Sequence, residues 1–353
     1  MSITKTPIWL DCDPGHDDTF AIIFAAEHPS FDLLGISTVH GNASLDRVTS
    51  NALSILTAIN RTDIPVYSGS RKPFMRPAVH APAIHGTSGI DGTLLVPEPT
   101  VSHNPSNAIV AMHKAIMSTP LQSCVLVATG TLTNIALLFA TFPETASHIK
   151  EVSIMGGAFG DREDSKGNIK KWAEFNIYCD PEAAQSLFSN PQLNGRITLV
   201  PLDLTHTVLA TPNVLTRLLS GGEDGMPGNF RTMLYELLTY YSATYARVFN
   251  ITTGPPLHDP LAVAAVLPTN EIAWEMELVR VEVSCHGDEV GKTIKTREEP
   301  AVHGVGLGGE AKDPYTMVKI PKKVDVEAFW KVLLDLVTKA DGRYTWPAAE
   351  VEF

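Results

Sequence analysis

The sequence predicts an α/β protein: one domain, with a mainly parallel central sheet flanked by helices. Three observations point there. Short apolar runs of strand character alternate with segments of helical spacing along most of the chain, which is the pattern of a parallel sheet covered on both faces. The unusual polar groups Asp13, Asn42, Thr129-Gly130 and Met155-Gly156 each follow a predicted strand, where open α/β sheets bind ligands. The candidate site draws on the chain from residue 11 to residue 259, with no linker or internal repeat between, which argues for one domain over residues 1–340 and a tail over 341–353.

The elements follow in order. Pro7-Ile8-Trp9-Leu10 reads as a strand and Thr19 to Ala26 as a helix, so the acidic octet between them is a strand-to-helix turn. Phe31 to Val39 is a mostly buried strand. Ser44 caps a helix whose apolar face carries Leu45, Val48, Ala52, Ile55, Leu56 and Ile59. Ile64 to Tyr67 is a short strand. From Gly69 to His103 the chain is rich in proline, glycine and histidine without periodicity, and a loop of this length inside a compact domain is usually functional; its segment Ile84 to Gly92 suits a flap. Helices are expected over Asn107–Met117, Asn134–Phe142, Pro181–Phe188, Phe230–Val248, from Asp259-Pro260 onward, and over Val324–Lys339. Strands are expected at Cys124–Ala128, Val152–Met155, Ile197–Val200, Leu278–Val283 and Thr316–Ile320, with a polar insertion over Gly160–Lys171.

Bulk properties narrow the function. The chain has 353 residues, 44% hydrophobic and 19% charged, with a formal net charge of -12. Such an acidic balance disfavours nucleic acid and anionic membrane surfaces as partners. Cys12, Cys124, Cys179 and Cys285 have neither zinc spacing nor the density of a disulfide framework, so reduced thiols are expected. The N-terminal residues lack a signal-peptide layout and no long apolar window exists, so the expected location is cytoplasmic.

The octet Asp11-Cys12-Asp13-Pro14-Gly15-His16-Asp17-Asp18 carries the strongest chemical signal. Its four carboxylates repel one another, and a helix N-terminus offsets only about half a charge. A hard cation balances them better, and carboxylate oxygens are the donors that calcium or magnesium selects. The plainer alternative is an acid-rich helix cap. Two further polar stretches stand out, Ala173 to Glu182 and Gly254 to Pro260; in the second, His258-Asp259 offers a proton donor beside an anionic ligand, although Asp259 alone also fits an N-cap.

At this point the chain resembles the calcium-dependent nucleoside hydrolases. The octet is similar to that family's N-terminal signature. The similarity continues in order through Val39-His40-Gly41-Asn42, His85-Gly86-Thr87-Ser88-Gly89, Ala128 to Asn134, Ile154-Met155-Gly156-Gly157, Ala173-Glu174-Phe175-Asn176 and Leu257-His258-Asp259-Pro260. Pro7 to Leu10, Leu34 to Thr38 and Gly254-Pro255-Pro256 look most like the eukaryotic uridine nucleosidase branch. The resemblance implies the nucleoside hydrolase fold with a Rossmann-like core, and hydrolysis of a ribonucleoside to ribose and free base. It implies Ca2+ held by Asp13, Asp18, the Thr129 carbonyl and Asp259, with Asp13 also the base that activates water. It assigns ribose contacts to Asp17, Asn42, Asn168, Glu174, Asn176 and Asp259, a pocket wall to Met155, and the role of general acid to His258. His85 becomes a flap residue facing the base, and Tyr241 and Tyr245 match base-side tyrosines, with Phe249 where some relatives carry arginine. A homodimer or homotetramer acting on a small-molecule nucleoside in nucleoside salvage is the family expectation.

Two other classes stay open at this stage. An aspartate-nucleophile phosphohydrolase of the haloacid dehalogenase type would use Asp11, but its usual hydroxyl residue two positions beyond the second aspartate is Gly15 here. A non-catalytic calcium-dependent nucleoside binder would keep the ribose contacts without turnover.

Overall fold

The computed structural model describes residues 5–220, 226–268, 270–296 and 316–346. Among the described residues, nine strands form one sheet: β1 (Thr6–Cys12), β2 (Phe31–Thr38), β3 (Val66–Ser68), β4 (Val125–Ala128), β5 (Glu151–Met155), β6 (Ile197–Val200), β7 (Trp274–Val283), β8 (Thr293–Thr296) and β9 (Met317–Val324). The helices before the β6 strand are α1 (His16–Glu27), α2 (Leu45–Ala58), α3 (Pro82–His85), α4 (Ala108–Met117), α5 (Thr133–Thr141), α6 (Glu144–His148), α7 (Phe175–Cys179) and α8 (Pro181–Phe188). After it come α9 (Leu202–Thr205), α10 (Pro212–Leu219), α11 (Asn229–Phe249), α12 (Asp259–Ala264) and α13 (Val326–Ala340).

The strand order is β3-β2-β1-β4-β5-β6-β9-β7-β8. Among the described strands, the pairings from β3 through β9 are parallel, and β9-β7 and β7-β8 are antiparallel. The order reverses between β1 and β4. Loops leaving neighbouring strands diverge to opposite faces at such a point, which opens a crevice beyond their carboxyl ends.

Alternation along β1 feeds two cores. Ile8, Leu10 and Cys12 join one cluster with α1, α2, α12 and α13, while Trp9 joins the cluster of α4, α5 and α8 on the other face. Helix α1 is buried on almost every side because α12 and α13 pack on it, so its first turn carries charge into the interior. A helix of that kind keeps acidic groups only if something compensates them.

Element existence follows the sequence reading, and the differences have local causes. The third strand begins at Val66 rather than Ile64, because Pro65 lacks an N–H and contributes only its carbonyl, which accepts from Ile36 N at 2.9 Å. Ser44 occupies the N-cap of α2 without a capping side-chain bond. Helices α3, α6, α7 and α9 and strand β8 are too short to show a period, and α10, as long as α8, is not expected from the sequence. The described part of the tail is docked: Asp341 pairs with Arg231 at 2.5 Å, Arg343 with Glu27 at 2.5 Å, and Trp346 Nε1 donates to Leu95 O at 2.9 Å. The rest of the tail, 347–353, lies outside the described residues.

Candidate active site

The acidic turn is assembled by the switch point. β1 delivers Asp13, the Pro14-Gly15 step turns the chain, and α1 begins at His16 with Asp17 and Asp18 in its first turn. Asp18 does part of the work of a cap, since its Oδ2 accepts from Gly15 N at 2.9 Å. β4 brings Thr129 alongside: its N–H donates to Asp11 O at 2.8 Å and its hydroxyl to Asp18 Oδ1 at 2.9 Å. After β2, Asn42 donates its backbone N–H to Asp13 Oδ2 at 2.7 Å and its Nδ2 to Asp18 Oδ2 at 3.2 Å. From far along the chain, α12 adds Asp259. The N-cap there is His258, with no capping side-chain bond, so Asp259 is the first helical residue and does not cap.

Asp17, Asp18 and Asp259 each present a carboxylate oxygen within 4.8 Å of the others, and all three are buried. Asp13 stands beside them, fully buried, with Oδ1 lacking any hydrogen-bond partner among the described residues. Burial first, then the Asp18 charge, raises Asp13 well above the ordinary carboxylate range. The same two causes push Asp17 up to about 7, and burial with Asp17, Asp18 and Asp13 raises Asp259. Two glycines enclose Asp13: a Cβ on Gly41 would fall 1.9 Å from Oδ2, and one on Gly130 would fall 2.5 Å from Oδ1.

This donor set fits a hard cation. Buried carboxylates repelling one another, one oxygen orphaned, are costly unless a positive charge joins them. Oxygen-only ligands suit calcium or magnesium rather than a thiophilic metal.

Above the carboxylates lies a cavity of about 290 Å³. Asp17, Asn42, Thr129, Met155, Asn168, Glu174, Asn176 and Asp259 line its polar end, and His85, Tyr241, Tyr245, His258, Val248 and Phe249 line the other. Asp13 and Asp18 sit beneath this lining, bonded to Asn42 and Thr129. The expected residues are thus brought together. Several carry structural work as well: Glu174 caps α7, accepting from Gly157 N, Asn176 N and Ile177 N at 3.0, 2.8 and 3.1 Å. Asn176 Nδ2 donates to the Thr129 carbonyl at 2.8 Å, and Asn168 Oδ1 accepts from Phe175 N at 2.7 Å, which ties the end of the polar insertion to α7.

At the aromatic end Tyr241 Oη donates to Tyr245 Oη at 3.3 Å, and Tyr245 Oη lies 2.7 Å from His258 Nε2. Burial holds both His85 and His258 well below the usual imidazole range. His85 closes the short helix α3, and its Nδ1 rests 3.1 Å from His16 Nδ1, so the flap is held to α1. The His16 ring lies parallel to both Tyr240 and Tyr241, with centroids 5.3 Å away.

Asp11 does not line the cavity. It is fully buried, accepts from Ser37 Oγ and from Asn134 Nδ2 (2.8 Å), and has one oxygen unpartnered among the described residues; burial raises it to about 7. An aspartate nucleophile needs an open approach, so the Asp11 phosphohydrolase alternative has no support. Sequence reasoning missed His80 and Ile169 in the lining, and Thr205 behind His258; Ile84 lines it as part of the expected flap. His80, whose Nδ1 lies 2.8 Å from the Gly41 carbonyl, sits in the non-periodic stretch, where only the spacing to Pro82 and His85 hinted at one turn.

Comparison with known proteins agrees with this geometry. Residues 8–331 match the family described as inosine-uridine preferring nucleoside hydrolase. The chain is 35% identical to a uridine nucleosidase of Saccharomyces cerevisiae, over 98% of this chain and 99% of that protein. It is 40% identical to the pyrimidine-specific ribonucleoside hydrolase RihA of Salmonella arizonae, over 74% and 79% of the two chains. Among solved structures, a purine-preferring ribonucleoside hydrolase from Gardnerella vaginalis matches with a TM-score of 0.79 at 26% identity, over 95% and 98% of the chains. A plant nucleoside hydrolase gives 0.78 at 28% identity, over 94% and 99%. The protein with this buried carboxylate cluster at its switch point belongs to the inosine-uridine preferring nucleoside hydrolase family, and it is a nucleoside hydrolase.

Proposed function

We propose that the enzyme cleaves the N-glycosidic bond of uridine in preference to other ribonucleosides, using a calcium-positioned water with Asp13 as base. The observation that carries this reading is the orphaned, fully buried Asp13 Oδ1 beneath a cavity polar at one end and aromatic at the other. Calcium would be held by Asp13, Asp18, Asp259 and the Thr129 carbonyl, and would orient the attacking water and ribose hydroxyls. Asp13 takes the proton of that water. Asp17, Asn42, Asn168, Glu174, Asn176 and Asp259 bind ribose, and their oxygens stabilise the positive charge that develops on the sugar as the bond to the base stretches. Met155 limits the pocket, and His85, Tyr241, Tyr245 and His258 face the departing base, with His258 as general acid.

The uridine preference rests on similarity to the yeast uridine nucleosidase over 98% of the chain and to the pyrimidine-specific bacterial enzyme. The apolar Val248 and Phe249 at the base end suit a small planar ring. The products, ribose and free base, fit nucleoside salvage in the cytoplasm, and the active species would be a homodimer or homotetramer.

The test is incubation with uridine, cytidine, inosine and adenosine, with calcium or with chelator, and chromatographic measurement of each free base. Calcium-dependent release, greatest for uracil, is expected. Activity on none of the four with calcium present overturns the hydrolase mechanism, and equal rates overturn the uridine preference. A non-catalytic binder would retain nucleoside without releasing base.

A further inference from the structure

Behind the aromatic end of the cavity a row of hydroxyls and imidazole runs Tyr241, Tyr245, His258, Thr205. His258 Nδ1 lies 2.7 Å from Thr205 Oγ1, while its Nε2 lies 2.7 Å from Tyr245 Oη. All four residues are buried. A neutral imidazole has one N–H and one lone pair, so whichever role Thr205 takes at Nδ1 imposes the opposite role at Nε2.

Hydrogen-bond accounting decides between the two arrangements. Thr205 Oγ1 has no partner other than His258 Nδ1 among the described residues. A buried hydroxyl that gave its hydrogen to nothing would forfeit about 1–3 kcal/mol. Thr205 therefore donates to Nδ1, and His258 carries its proton on Nε2 and donates to Tyr245 Oη. That oxygen already accepts from Tyr241 Oη at 3.3 Å. With both contacts made as an acceptor, the Tyr245 hydroxyl hydrogen is left to point into the cavity that Tyr245 lines. In the reverse arrangement Tyr245 would spend its hydrogen on His258 and offer the cavity none.

We propose that Thr205 is a positioning residue: it fixes His258 as the Nε2–H tautomer and thereby frees the Tyr245 hydroxyl hydrogen to bond the departing base. The inference rests on the nucleoside-hydrolase reading of this cavity and deepens it: the His258 proton reaches the departing base through the Tyr245 hydroxyl, and Thr205 is added behind it. The fold gives Thr205 a rigid mount. It ends α9, which follows β6, and two residues earlier Asp203 accepts from Phe159 N, Asp161 N and Ser165 Oγ at 2.8, 2.7 and 2.7 Å. His206, next in the chain, packs its ring 5.6 Å from that of His258 and holds the imidazole from a second side.

The test compares two substrates in the calcium-loaded enzyme. Uridine has a poor leaving group that needs a hydrogen donor; 4-nitrophenyl riboside has a leaving group that departs unaided. Thr205→Val, which keeps the shape and removes the hydroxyl, is expected to lower kcat on uridine about tenfold. KM should stay within about twofold, and turnover of 4-nitrophenyl riboside should be unchanged. Thr205→Ser, which keeps a hydroxyl, is expected to stay within about threefold of wild type on uridine. Parallel losses on both substrates, or no loss on uridine, overturn the proposal while leaving the hydrolase reading intact; wild type that cleaves neither substrate overturns both. A second measurement needs no variant: imidazole 15N NMR of the wild-type enzyme should show His258 protonated on Nε2, and a proton on Nδ1 alone overturns the proposal.

Discussion

Replacing Asp13 by Asn should stabilise the metal-stripped enzyme while destroying its activity. Asp13 Oδ2 already accepts from Asn42 N at 2.7 Å, a bond that the amide oxygen of Asn can keep. Oδ1 is the orphan, enclosed by Gly130 and surrounded by the charges of Asp18, Asp17 and Glu174. A buried polar group without a partner costs about 1–3 kcal/mol, and a charge among like charges costs more. Removing the charge recovers energy of that order. A chain of 353 residues has an unfolding entropy near 0.7 kcal/mol per kelvin. The melting temperature in chelator should therefore rise by about 1–4 °C. Turnover with calcium should fall by about 10²–10⁴, the usual worth of a positioned base. The assay pairs a calorimetric scan in chelator with base release in calcium. A variant that melts lower than wild type in chelator, or one that still turns over at the wild-type rate, refutes the reasoning that Asp13 is an uncompensated charge held for catalysis.

Other consequences can be measured on the same preparations. Calcium added to chelator-treated wild type at about a hundred times its dissociation constant should stabilise it by about 2.7 kcal/mol, or near 4 °C; Asp259→Asn should shrink that shift, and an undiminished shift would remove Asp259 from the ligand set. Gly130→Ala should cost about 1–3 kcal/mol and most of the activity, because the new methyl falls 2.5 Å from Asp13 Oδ1 and 2.9 Å from Val39 Cγ1; wild-type kinetics in this variant would contradict the packing described around Asp13. Burial lowers His40 from 6.5 to about 4. The unfolded chain therefore takes up this proton first, so the His40 contribution is absent above about pH 6.5 and stability is lost as pH falls toward 4, by at most about 3 kcal/mol. Denaturant titrations of wild type and His40→Gln should show a shallower acid slope in the variant; identical slopes would mean that His40 titrates alike in both states.

Local chemistry made the acidic turn readable. Asp13, Asp17 and Asp18 sit within one strand-to-helix connection, and carboxylates so close in sequence cannot be far apart in space. Periodicity likewise revealed the long helices and buried strands, because a helix such as α2 must turn one apolar face inward. The short elements escaped for the converse reason. Helix α9 spans a single turn, too brief for any period to register, yet it mounts Thr205 against His258. Glu174 was legible as a polar group beside the site, but its duty as the cap of α7 depends on where the backbone N–H groups of residues 157, 176 and 177 converge.

The sequence by itself determined the alternating α/β plan, the strand-end position of the polar motifs and the supply of oxygen donors, since spacing and side-chain chemistry are local properties. Only the tertiary structure decided how those donors meet. The reversal of strand order between β1 and β4 brings Thr129 to Asp18, and the packing of α12 on α1 brings Asp259 to Asp17 across more than two hundred residues of chain. It also decided that Asp11, two positions before Asp13, faces Ser37 and Asn134 instead: Asp11 lies within β1 on the same face as Trp9, which also bonds Ser37, whereas the strand ends at Cys12 and the chain turns away with Asp13.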